Sequence, residues 1–125
     1  MAPQLPKFLD GWQPGSDAWL TVEAKVCASL EIAVTHTERR RGLRGRDGID
    51  AALMLIHTRS IHSFGVAFEF DAFFCDAELR LVDALSVPPR RVVMPRVAGH
   101  HVIEAPRGAI DRWGVDLGDQ FEVRF

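Results

Sequence analysis

Short apolar runs recur along the whole chain, most of them alternating with polar residues, and each is bracketed by proline, glycine or charged turn residues. The clearest is Val26–Val34, where Ala28, Leu30, Ile32 and Val34 share one parity and Ser29 and Glu31 the other. A period of two marks a half-buried strand. Trp19–Val22 precedes it across Glu23-Ala-Lys25 as the other half of a hairpin. Leu53–Ile56 is a further apolar run, and strands are expected at Ile61–Phe64, Ala72–Cys75, Leu79–Ser86, His101–Ala105 and Gln120–Phe125. Helical signals are sparse. Thr35-His-Thr-Glu38 has the form of a capping box, opening a short helix through Arg41 that ends at Gly42. Gly108–Trp113 reads as one helical turn leaving through Gly114. Helices this few and short leave no room for parallel crossovers. The expected fold is therefore mainly β: an antiparallel β-sandwich or partly open β-barrel with one or two short helices, burying Leu30, Ile32, Phe73, Phe121 and Val123.

The 125 residues suit one domain with a core large enough to need no metal or disulfide staple. Residues 1–18 hold three prolines and Trp12 and read as an irregular arm laid over a single β domain spanning residues 19–125. A net charge of −2 gives no general pull towards nucleic acid or anionic membrane, so neither is an expected partner. No apolar run approaches the ~20 residues of a spanning helix. The opening Met-Ala-Pro-Gln-Leu-Pro-Lys lacks the apolar heart of a secretory signal, which makes a cytoplasmic location the expectation. Cys27 and Cys75 lie in expected strands without Cys-x-x-Cys spacing and read as small buried hydrophobes with free thiols.

The chemistry concentrates in two stretches. Glu38–Arg46 holds five arginines, suited to phosphate or carboxylate recognition or to surface ion pairs, but it lacks the interleaved aromatics of a nucleic-acid module. Arg59-Ser-Ile-His-Ser-Phe-Gly-Val-Ala-Phe-Glu-Phe-Asp71 sets a cation, an imidazole and a carboxylate among aromatics. Buried polar groups need partners, so this run is either a structural network or the wall of a polar cavity. His62 shares parity with Phe64, and with Val66 and Phe68 if the strand continues, which turns it towards the packed face. Arg39, Arg46, Arg59, His62 and Asp71 are the candidate cluster for a small anionic or carbohydrate ligand. A His62–Asp71 acid–base pair in a small hydrolase is the alternative, although no serine or cysteine nucleophile stands out, and a structural or assembly partner is a third class. The scattered histidines lack metal-ligand spacing, and no phosphate-cradling glycine loop occurs, so neither metal nor cofactor is expected. Oligomeric state is left open, with a monomer favoured.

From about Trp19 to Phe125 the chain resembles the bacterial and archaeal family known as domain of unknown function 192. The resemblance is carried by Glu38-Arg39, Gly42-Leu43 and Arg46, then Arg59–Phe64, Phe68 and Asp71. Ile103-Glu104-Ala105, Gly108, Trp113-Gly114 and Gly118-Asp119 complete it. It implies a compact, mostly β domain with no established activity. Val66 and Arg44 stand where many relatives carry methionine, which argues against a soft-metal site here. Many relatives are also exported, so their location does not transfer.

Overall fold

The computed structural model describes residues 4–125. Nine strands form two sheets: β1 (Trp19–Val22), β2 (Lys25–Ala33), β3 (Ala52–Leu55), β4 (Ile61–His62), β5 (Phe70–Cys75), β6 (Leu81–Val87), β7 (Val92–Val93), β8 (His101–Pro106) and β9 (Phe121–Arg124). Two short helices, α1 (His36–Arg41) and α2 (Ala109–Trp113), join them. Seven strands make an open mixed sheet in the order β6-β5-β8-β3-β2-β1-β9, and β4 pairs with β7 in a small second sheet.

The large sheet is not wholly antiparallel. β2 and β3 run parallel, with Leu30 opposite Ala52 and Ala33 opposite Leu55, while its other pairings are antiparallel. The expectation that no crossover could be accommodated is corrected at this one pair. A parallel return needs length more than helix, and the segment between β2 and β3, with the six-residue α1 inside it, supplies that length. The sheet curls until its edges meet at one end. Arg80 bridges Gln120, the Leu81 amide bonds the Asp119 carbonyl, and the Phe121 amide bonds the Leu79 carbonyl.

Alternation along the strands sorts side chains onto two faces. One face holds Leu20, Leu30, Met54, Phe73, Ile103 and Phe121, closed by Leu9 and Trp12 of the N-terminal arm. Trp113 of α2 stacks on Phe73 at 4.9 Å. Of the expected core set, Leu30, Phe73 and Phe121 are buried, whereas Ile32 and Val123 are half-buried. The other face holds Leu53, Leu55, Phe70, Ala72, Phe74 and Val102, covered by Leu43, Ile61, Val66 and Val93. β3, β5 and β8 are buried on nearly every residue because both faces are covered.

The local signals set the joints. Glu38 donates its amide to Thr35 Oγ1 at 3.1 Å and accepts the Thr35 amide at 2.9 Å, completing the capping box. The β1–β2 turn holds Glu23 and Ala24 at φ of 50° and 67°, left-handed values that two-residue hairpins require but non-glycine residues resist. Cys27 is half-buried and Cys75 buried, both as free thiols. No helix of the described residues is long and apolar enough to cross a membrane.

Candidate functional site

β8 carries a carboxylate where the rest of the strand is almost wholly apolar. Glu104 is 4 % exposed and sits between Leu53 of β3 and Ala72 of β5. Among the described residues, Glu104 Oε1 alone is a buried side-chain polar atom with no hydrogen-bond partner. Burial therefore raises its pKa from 4.5 to about 8, and the nearby Arg46 charge only partly opposes the shift. At neutral pH the group is chiefly a neutral carboxylic acid.

Glu104 is among the residues that line a cavity of about 350 Å³. α1 and its exit supply one wall, the segment from Leu55 to Ser60 another, and β4 with Val66 the third. Gly42 adopts φ +49° as the chain leaves α1, and a Cβ there would stand 3.5 Å from Glu104 Oε1, so the helix exit passes over the carboxyl. Arg44 lies across the Gly65 turn, its Cδ 3.2 Å from where a Cβ would be. Leu43, Leu55, Ile61 and Val66 give the cavity apolar walls, whereas Arg39, Arg40, Arg41, Arg44 and Arg59 surround it with positive charge. Among the described residues Glu104 is the only acid in the lining.

Two of these arginines are held by main-chain carbonyls. Arg39 Nη1 donates to the Ile56 and His57 carbonyls at 3.2 and 3.3 Å. Arg59 Nη2 donates to the Arg96 and Val97 carbonyls at 3.3 and 3.2 Å. A guanidinium has five N–H donors, so each fork is anchored through part of its set and keeps donors for another acceptor. The rim is braced from behind by buried His101, whose Nδ1 accepts the His57 amide at 3.1 Å. Burial first, then the neighbouring His57 and His100, lowers the His101 pKa from 6.5 to about 4, so its ring stays neutral and its acceptor available.

The five sequence candidates divide. Arg39, Arg59 and His62 line this cavity together. Arg46 instead forms a two-pronged pair with Glu31, at 2.9 and 3.0 Å, and borders an adjoining cavity that shares Arg41 and Gly42 with the first. Asp71 lies on the other face of the sheet, fully committed. It accepts from Ser86 Oγ at 2.7 Å and from the Gly108 and Ile110 amides at 3.1 and 3.0 Å, anchoring the start of α2. No hydrogen bond joins His62 to Asp71 among the described residues. The expectation that His62 turns inward is corrected: Ile61 and Ser63 are buried, while His62 and Phe64 are exposed. β4 stops at His62, where Ser63 instead stitches the loop between β6 and β7, its Oγ donating to the Pro88 carbonyl and accepting the Arg91 amide. Glu104 was not among the candidates. The available signal was a single acid inside the apolar run Val102–Ala105.

Fold and cavity together define a small mixed-β domain with an arginine-lined recess over a buried acid. Residues 18–123 match the family described as "Uncharacterized ACR", domain of unknown function 192, and the chain belongs to that family. A UPF0127 protein of Thermococcus sibiricus is 32% identical over 99 residues, covering 74% of this chain and 64% of its own length. A UPF0127 protein of Pyrococcus horikoshii is 32% identical over 98 residues, covering 74% and 85%. A crystal structure of a Novosphingobium aromaticivorans protein of unknown function superposes with TM-score 0.70 at 19% identity, over 88% of this chain and 89% of its own. A Sinorhizobium meliloti structure, provisionally described as a transcription regulator, superposes with TM-score 0.72 at 19% identity, over 86% and 92%. Likeness at that identity shows the shared fold. No function is established for the family by these relatives.

Proposed function

We propose that the domain binds a small anionic ligand in the cavity above Glu104. The observation that carries this reading is the lining, in which five arginines, Arg39, Arg40, Arg41, Arg44 and Arg59, gather in one recess of a chain whose net charge is −2. Cations concentrated in one recess of an otherwise slightly acidic protein produce a local attraction that bulk composition hides. Arg39 and Arg59 are fixed before any ligand arrives, which lowers the ordering cost of binding. His62, exposed at the rim, adds a donor or acceptor.

A hydrolase reading through His62 and Asp71 has less support, because Asp71 spends its oxygens on Ser86 and α2. The binding reading is tested by thermal shift and calorimetry with small carboxylates, phosphate and neutral sugars. Anions are expected to raise the melting temperature and sugars to leave it unchanged. Arg59→Ala should weaken the bound anion at least tenfold while the melting temperature of the free protein changes little. Arg46→Ala, away from the cavity, should leave affinity within about threefold. A panel in which only neutral sugars stabilise the protein would overturn the anion reading.

A further inference from the structure

Glu104 is not used by the anion-binding reading, yet it is the most anomalous group in the cavity. Its Oε1 is buried and unpartnered, and α1's exit at Gly42 passes over it. A neutral carboxyl offers one O–H donor, and a carboxylate ligand offers only acceptors. We propose that Glu104 is the proton-bearing donor of this site and that its ligand is a small carboxylic acid, bound as the carboxylate between the Glu104 hydroxyl and the Arg39 and Arg59 guanidinium groups. The inference rests on the anion-binding reading and names the ligand's chemistry.

Three features converge on that class. The cavity of about 350 Å³ is near the lower end of small-molecule sites, which run from about 300 Å³ upward, so the ligand is small. Leu43, Leu55, Ile61 and Val66 face an organic body and give a bare inorganic oxyanion nothing to bond. Planar guanidinium forks match the two oxygens of a carboxylate. An ionised Glu104 would repel such a ligand, so the bound carboxylate keeps the Glu104 proton in place. Binding is then linked to protonation. Once Glu104 ionises in the free protein, above about pH 8, each complex formed takes up a proton, and affinity falls up to about tenfold per pH unit.

Other charged groups around Glu104 could contribute to a pH effect and are separated by the test. α1 and its exit present Arg39, Arg41 and Arg44, and Arg46 follows, paired with Glu31 of β2. The β3 exit and β4 present His57, Arg59 and His62, with His36 at the start of α1 and Arg40 beyond it. The flanking strands place Leu53 and Ala72 beside Glu104, neither of which titrates. Arginine stays charged throughout the range used, which leaves the histidines as the competing source.

The experiment is calorimetric and NMR titration of the full chain with propionate, benzoate and inorganic phosphate between pH 6.5 and 9.5. Both carboxylates are expected to bind at pH 6.5 more tightly than phosphate, and to weaken above pH 8. At pH 8.5, comparison of two buffers of different ionisation heat should show net proton uptake on binding, and none in Glu104→Gln. Glu104→Gln retains a donor that does not titrate, so it should bind within about threefold of wild type at pH 6.5 and lose the alkaline fall. Glu104→Leu should lose about tenfold or more at pH 6.5, the usual scale for a deleted hydrogen bond to a charged group. His62→Asn should keep the alkaline slope. Carboxylate affinity that stays flat to pH 9.5 in wild type, or falls equally in Glu104→Gln, overturns the role of Glu104 while leaving the arginine site standing. Binding of phosphate with neither carboxylate overturns the ligand class. If no probe binds at pH 6.5, the anion-binding reading itself fails with the inference.

Discussion

Replacing Glu104 with glutamine should make the protein more stable in mild alkali, an unusual outcome for a fully buried site. Folding raises the pKa of this carboxyl from 4.5 to about 8. Between those values the folded chain holds a proton that the unfolded chain has released, so stability declines as pH rises through the window. At about 1.36 kcal/mol per unit, the cost accumulated by pH 8 is roughly 3–5 kcal/mol. His101 acts in the opposite sense. Its folded pKa is lowered from 6.5 to about 4, so its contribution grows as pH rises from 4 to 6.5 and is complete above that, at roughly 3 kcal/mol. The two slopes offset each other between about pH 4.5 and 6.5, and of the two only Glu104 acts from there to pH 8. Wild type should therefore show a broad plateau followed by a loss of about 2 kcal/mol between pH 6.5 and 8. Glu104→Gln should match or slightly trail wild type near pH 5 and exceed it by several kcal/mol at pH 8.5. Urea unfolding at pH 5, 6.5, 7.5 and 8.5, with the m-value monitored, measures this directly. Parallel pH profiles for the two proteins would refute the argument, because the carboxyl would then be ionised or solvated in the folded state.

Asp71→Ala should cost about 2–4 kcal/mol, since it strands the Gly108 and Ile110 amides and leaves Ser86 unpartnered; chemical denaturation reads it, and a loss under ~0.5 kcal/mol would contradict the capping role. Thr35→Ala should remove about 1 kcal/mol by opening the capping box, seen as a lower urea midpoint at unchanged m-value. Exchanging Glu23-Ala24 for Asn-Gly should stabilise the β1–β2 hairpin by about 1–2 kcal/mol, because both positions hold left-handed backbone; an unchanged melting temperature would argue against that strain. Reductant should leave the melting temperature where it is, as Cys27 and Cys75 are free thiols, and a thiol reagent should label Cys27 well before buried Cys75 in the native protein.

Local signals in the sequence were enough wherever neighbouring residues make the decision. The capping box at Thr35–Glu38, the stop at Gly42, the left-handed exit at Gly114 and the alternation of Val26–Val34 all became structure, because each is settled by hydrogen bonds or parity within a few residues. What pairs with what was decided by the tertiary structure. A strand's own residues do not reveal whether its neighbour runs parallel, so the β2–β3 pairing and the meeting of Arg80 with Gln120 appear only once both faces are covered. The same limit divided the candidate cluster. Arg59 and His62 are legible as polar residues in apolar company and Arg39 as part of the basic stretch, but parity with Val66 and Phe68 turns His62 inward, whereas Ile61 and Ser63 hold the buried parity. Asp71 is legible as a carboxylate needing partners, and only the tertiary structure supplies them, from Ser86 of β6 and the start of α2. Glu104 shows the reason most plainly. Its composition reads as one acid in a strand, and its chemistry comes from three distant segments that remove its water and offer no hydrogen bond to Oε1 in return.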